Sequence, residues 1–224
     1  MKAIILSAGQ GRRLLPLTKD IPKCLVPVQD EISALEFQLQ RLSECGVTRA
    51  SIMLGFGGDL VERALYSMSI PGLSVDTIYN PFYGVSDNLV TCWLARPAMT
   101  EDFILLNGDT LFLSPVLEGL LTAPLAPLTM AVNHKSEYDS DDMKVSLARD
   151  GGLRAVGKTL DHSSVDGESI GLMTFRGHGV DTFRQALDAA VRSPEALKAW
   201  YLSVVNALAD SLQIQTFSIG ENWW

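Results

Sequence analysis

The chain has 224 residues, with 18 Lys and Arg against 26 Asp and Glu and a formal net charge of −8. That length suits one large α/β domain with a sizeable core, and the acidic balance argues against a nucleic-acid or anionic-membrane surface, since both select for clustered Lys and Arg. Cys24, Cys45 and Cys92 lack paired metal spacing and fit a reducing cytosol better than a disulfide scaffold. No run of about 18 apolar residues occurs and the apolar start is too short for a signal-peptide core, so a cytoplasmic protein without a membrane span is expected.

In chain order, the apolar residues 2–6 predict a strand that runs into Gly9-Gln10-Gly11-Arg12-Arg13, with Pro22-Lys23 ten residues further on. Gly9 and Gly11 leave the backbone free to take positive φ and bring N–H groups up to phosphate oxygens, while Arg12, Arg13 and Lys23 supply countercharge. This is equipment for a triphosphate, and it is neither a Walker loop nor the three-glycine dinucleotide fingerprint. Ser33 followed by Glu36 is a capping-box pattern for a helix over about 33–45 with Leu35, Leu39 and Leu42 on one face and Gly46 as its stop. A strand at 50–54, a helix at about 59–69, a strand at 75–79 and another at 103–106 continue the βαβ rhythm of a parallel sheet. In such sheets ligands bind beyond the carboxyl ends of strands, where the Gly9 loop and Asn107-Gly108-Asp109 would both lie. Ser86-Asp87-Asn88 opens a predicted helix over Leu89 to Ala95. Strands at 128–133, 144–148, 153–156 and 169–175 read as a lobe grafted on the first half, followed by helices at about 179–192 and 195–210 and a strand at 213–218.

Leu6, Ala8, Gly9, Gly11, Arg13, Leu14, Pro16, Thr18, Pro22 and Lys23 match, in type and spacing, the opening signature of the nucleotidyltransferases that make NDP-sugars and CDP-alcohols. The chain resembles that family. The resemblance implies a Rossmann-like α/β fold with a mixed, mostly parallel sheet flanked by helices, in a single domain over 1–224. Its nucleotide-binding half would be about 1–125 and its acceptor-binding half about 126–224. It implies catalytic roles for Arg13 and Lys23, nucleotide contacts from Leu6, Ala8, Gly9, Gln10, Gly11 and Arg12, and a catalytic Mg²⁺ at Asp109. The family's second metal carboxylate, in a late Glu-Ile-Asp, is not met before Trp224, so no metal count is set.

Hexose-1-phosphate enzymes of the family usually carry a glycine-rich stretch where this chain has Ser86-Asp87-Asn88-Leu89. That segment resembles the phosphocholine, inositol phosphate and aminoethylphosphonate cytidylyltransferases. An Asn88 or Ser86 side chain offers both a donor and an acceptor, as cytosine requires; the alternative is that Asp87 and Asn88 only cap the helix. Asp141-Asp-Met-Lys144, Gly157-Lys158 and Gly167-Glu168 resemble short cytidylyltransferases acting on phosphonates or small phosphoalcohols, which implies an acceptor pocket lined by Lys144 and Lys158 and faced by Glu168. Trp200-Tyr201 stands where choline-handling relatives place aromatics ahead of an acid, but Leu202 and Ser203 replace the acid; helix-face core is the other reading.

The partners expected are a nucleoside triphosphate, CTP preferred, and a small phosphorylated or phosphonate acceptor. A homodimer is allowed, because an apolar share of 47% does not separate a core from a subunit interface. Two alternatives stand beside CMP transfer: a sugar-1-phosphate uridylyl- or thymidylyltransferase, and a regulatory relative that binds nucleotide without turnover.

Overall fold

A computed structural model describes every residue except Asp30. In chain order the elements are β1 (Lys2–Leu6), a hairpin of β2 (Pro27–Gln29) and β3 (Ile32–Ser33), α1 (Ala34–Glu44), β4 (Arg49–Leu54), α2 (Gly58–Ser67), β5 (Ser74–Tyr79), α3 (Asn88–Leu94) and β6 (Phe103–Asn107). Then come α4 (Ser114–Thr122), β7 (Leu128–Asn133), β8 (Lys144–Leu147), β9 (Leu153–Gly157), β10 (Gly167–Phe175), α5 (His178–Ala190), α6 (Tyr201–Leu208) and β11 (Ile214–Ser218). None of these helices is long and apolar enough to cross a membrane.

The sheet runs β11-β7-β10-β6-β1-β4-β5, parallel except where β10 lies antiparallel between β6 and β7. β1 is paired on both edges, with β4 and β6. Its residues Ala3–Leu6 are apolar without alternation because both faces of the sheet are covered there, so none of them turns to solvent. Ile4 and Leu6 enter one apolar cluster under α3, α5 and α6, and Ala3 and Ile5 enter the other under α1, α2 and α4. At the head of α1 the Ser33 hydroxyl accepts the Glu36 N–H at 3.1 Å, and Gly46 takes φ 77° just past the end.

The strands expected to form a separate lobe divide differently. β7, β10 and β11 continue the central sheet, and only β8 and β9 leave it as an arm that pairs with the start of β10. Every residue of β10 is buried, and a strand covered on both faces needs neighbours on both edges. The helix expected over 195–210 is also broken: a short 3₁₀ turn, Pro194–Lys198, is followed by extended residues at Ala199 and Trp200 before α6 starts. The break is tertiary in origin. The Asp87 and Leu89 N–H groups donate to the carbonyls of Leu197 and Ala199, and Asn88 Oδ1 accepts the Tyr201 N–H at 3.0 Å. Two further elements, α4 and the β2–β3 hairpin, add to those expected; α4 has no side-chain cap and its start is marked only by Pro115 in the first turn.

Candidate active site

Leu6 of β1 is paired with Asn107 of β6, and the Gly108 N–H donates to the Leu6 carbonyl at 3.0 Å, so the chain leaves both strands at one edge of the sheet. A Cβ on Gly108 would fall 2.2 Å from Ser7 Oγ, which is why this crossing takes glycine. A cleft of about 330 Å³ opens there, lined by Gly9, Gly11, Arg13, Lys23 and Asp109 on one side and by Asp141, Lys158 and Trp200 on the other. Two further hollows adjoin it along Gly9: one of about 180 Å³ against Ala8, Ser86, Asn88 and Trp200, and one of about 350 Å³ against Gln10, Arg12, Tyr83 and Lys198.

Of the two loop glycines only Gly11 takes positive φ, at 74°, where a Cβ would strike the Lys23 side chain at 2.9 Å. Gly9 contributes differently. A Cβ there would meet no described atom within 4 Å, so its bare Cα leaves open room at the floor of the cleft. Thr18 Oγ1 donates to the Gly11 carbonyl at 2.8 Å and ties the loop to the segment that carries Lys23.

The charges in the cleft are paired with one another, and the Arg13–Asp141 pair crosses it. Lys23 Nζ lies 2.5 Å from Asp109 Oδ2, with both side chains partly open to solvent. Arg13 Nη1 donates to Asp141 Oδ2 at 2.9 Å and Lys158 Nζ to Asp141 Oδ1 at 3.0 Å. The Lys158 hydrogen bond, with the Lys158 and Arg13 charges behind it, holds the Asp141 carboxyl below the usual carboxylate range. Burial pushes the Cys24 thiol up to about 11, so it stays protonated and packs rather than reacts.

The nucleotidyl transferase family model matches residues 2–113, half of the chain. The chain belongs to the nucleotidyl transferase family. A CTP:phosphoglutamine cytidylyltransferase of Campylobacter jejuni is 26% identical over 129 residues, covering 55% of this chain and 49% of that protein. A choline-phosphate cytidylyltransferase of Streptococcus pneumoniae is 31% identical over 112 residues, covering 50% and 46%. An N-acetylmuramate alpha-1-phosphate uridylyltransferase of Neisseria meningitidis is also similar, 33% identical over 50% of this chain and 48% of its own length. The matched stretch thus spans about half the length of each of these relatives. Among solved structures, the inositol-1-phosphate CTP transferase from T. maritima superposes with a TM-score of 0.82 at 21% identity over 100% of this chain and 87% of that one, a likeness of fold.

The transferase brings all of the expected nucleotide, catalytic and metal residues to the cleft or its adjoining hollows: Leu6, Ala8, Gly9, Gln10, Gly11, Arg12, Arg13, Lys23, Ser86, Asn88 and Asp109. Ser86 and Asn88 are partly committed already. The Ser86 hydroxyl donates to the Phe82 carbonyl at 2.8 Å and Asn88 Oδ1 serves α6, which leaves a lone pair on Ser86 Oγ and the Asn88 amide N–H groups.

Three expected acceptor residues do not reach the cleft. Lys144 is buried, and its Nζ donates to the Asp139 carbonyl and, at 3.2 Å, to the Lys158 carbonyl, so it braces the arm from within. Glu168 is buried between Asn133 Nδ2 at 2.9 Å and Lys135 Nζ at 3.2 Å. Tyr201 is core: its hydroxyl donates to Asn107 Oδ1 at 3.1 Å, and burial raises its pKa above the usual phenol range. Lys158 and Trp200 alone of that set line the cleft. Asp141 and Asn107 are site residues missed as such by the sequence reading; both stood in the quoted Asp141-Asp-Met-Lys and Asn-Gly-Asp segments, the only local signal available.

No group of three or more His, Cys, Asp or Glu is gathered for a metal among the described residues. Mg²⁺ does not need one, being held by one or two carboxylates together with substrate phosphates and water. Asp109 fits that use: its carboxylate opens on the cleft and already has a cation, Lys23, standing against it.

Proposed function

We propose that this nucleotidyl transferase moves CMP from CTP to a small phosphate- or phosphonate-bearing acceptor, with release of pyrophosphate and dependence on Mg²⁺. The observation that carries the reading is the convergence of the Gly9–Gly11 loop, Arg13, Lys23 and Asp109 on one cleft beyond β1 and β6. An acceptor phosphoryl oxygen attacks the α-phosphorus, the bond to the α,β-bridging oxygen breaks, and pyrophosphate leaves with that electron pair. Loop N–H groups hold the phosphates, and Arg13 and Lys23 offset the charge that grows on the leaving group. Held at Asp109, Mg²⁺ would supply Lewis-acid polarisation of phosphate oxygens. The acceptor is already ionised near neutral pH, so no histidine base is required, and none of His134, His162 and His178 lines the cleft.

CTP is favoured by Ser86 and Asn88 at the wall that the base would meet, and by the cytidylyltransferase names among the relatives. The Neisseria relative supports a second reading, UMP transfer to a sugar 1-phosphate. Pyrophosphate release with Mg²⁺ and each of CTP, UTP, dTTP, ATP and GTP, against phosphocholine, aminoethylphosphonate, inositol 1-phosphate and hexose 1-phosphates, separates them. Turnover with CTP and a small acceptor is the expected result. UTP or dTTP with a sugar phosphate would replace it, and nucleotide binding without turnover across the panel would point to a regulatory relative.

A further inference from the structure

The face of Trp200 is covered by a cation that belongs to the protein. Lys158 Nζ sits 4.7 Å from the centroid of the Trp200 ring while it donates to Asp141 Oδ1 at 3.0 Å. An aromatic face with a carboxylate beside it is the chemistry that holds a cationic headgroup, and here the lysine ammonium fills the place.

The arrangement is held from several sides. Lys158 directly follows β9, and its carbonyl accepts from the buried Lys144 Nζ. Trp200 is fixed in an extended conformation by the bond from the Tyr201 N–H to Asn88. Asp141 shares its other oxygen with Arg13. An acceptor entering the cleft therefore meets Arg13, Lys23 and Lys158 against Asp109 and Asp141, with the indole face already occupied. A quaternary ammonium meets a Trp200 face already shared with Lys158 and an Asp141 carboxylate already paired with Lys158 and Arg13, whereas an added anion has the spare N–H groups of Lys158 and Arg13.

We propose that Lys158 is a specificity-determining residue, filling the Trp200–Asp141 cation site from within and selecting acceptors whose second group, beyond the phosphoryl, is a carboxylate rather than a quaternary ammonium. This deepens the CMP-transfer reading and rests on it for the place of the phosphoryl group.

The test is calorimetric titration of phosphocholine and of 3-phosphonopropionate into protein preloaded with Mg²⁺ and α,β-methylene CTP. The wild-type protein, Lys158→Met, Lys158→Gln and the double variant Lys158→Met with Trp200→Ala are compared. The wild type is expected to bind the phosphonocarboxylate at least about tenfold more tightly than phosphocholine. Both single variants should lose about tenfold for the carboxylate, and Lys158→Met should gain about tenfold for phosphocholine, a gain that disappears without Trp200. A wild-type preference for phosphocholine, unchanged preferences in both single variants, or no binding of either probe would overturn the proposal. The nucleotide titration that precedes each run keeps the two ideas apart: failure to bind the CTP analogue would count against CMP transfer itself.

Discussion

Asp141 and Asp142 are neighbours in the chain and belong to opposite kinds of network. Asp142 accepts the Asp139 N–H and pairs with Lys135 at 2.7 Å, and Lys135 reaches on to the buried Glu168. Asp141 points the other way, into the cleft, and joins Arg13 to Lys158 with most of its carboxylate exposed. The first network is closed on protein groups, with only Lys135 reaching partly into water. The second consists of charges that meet each other across open space and can exchange partners for a phosphate. Pairing distance does not separate structural from functional charge here; access to the cleft does.

The sharpest way to break that contrast is at Lys23. Lys23→Ala should cut kcat by about 10²–10³-fold, the scale of losing one preorganised charge stabiliser, while the thermal midpoint changes little. Near-normal turnover would remove Lys23 from the exchangeable set. On the closed side, Glu168→Ala should cost about 2–3 kcal/mol in urea unfolding. That is below the roughly 3–5 kcal/mol of breaking a fully buried pair, because Lys135 keeps a third of its side chain in water. Asp141→Ala should leave the same midpoint almost unmoved, as exposed pairs do. Equal losses at the two positions would erase the distinction.

A smaller effect is expected at Asp109. Asp109→Asn should raise the Mg²⁺ concentration for half-maximal activity by about tenfold with the fold intact; an unchanged titration would make Asp109 a turn residue.

The smallest effect is in acid. Burial pushes the Asp142 carboxyl up, but the hydrogen bonds from Lys135 and the Asp139 N–H outweigh it and leave it below its ordinary value of 3.8. A carboxyl depressed in the folded state adds stability that is present above its unfolded value and is lost as the pH falls through the folded one. The wild-type urea midpoint should therefore drop as the pH is lowered below about 4, and Asp142→Asn should flatten that drop. The same substitution at Asp141 should flatten it less, since water screens the exposed group.

The legible parts of this molecule were local. A strand followed by Gly9, Gly11, Arg13 and Lys23 at fixed spacing, and another followed by Gly108-Asp109, declared one edge of the sheet because parallel pairing brings like ends together. Residues whose meaning depends on distant partners were not legible. Arg13 and Asp141 lie 128 positions apart, and no spacing rule joins them. Lys144 and Glu168 were placed in an acceptor pocket by resemblance alone; their burial follows from β8 folding back along β10 with Lys144 set opposite Glu168. Tyr201 was drawn into the core by Asn107 and Asn88, neither of which announces itself in the Trp200-Tyr201 segment.

The central claim is that the cleft between the Gly9 loop and Asp109 directs attack at the α-phosphorus of CTP. CTP labelled at the α-phosphorus and, separately, at the γ-phosphorus tests it directly when each is turned over with Mg²⁺ and a phosphonate acceptor. The α label should appear in a CMP–acceptor product and the γ label in pyrophosphate. A γ label in orthophosphate or on the acceptor, with the α label left in CDP, would contradict the account.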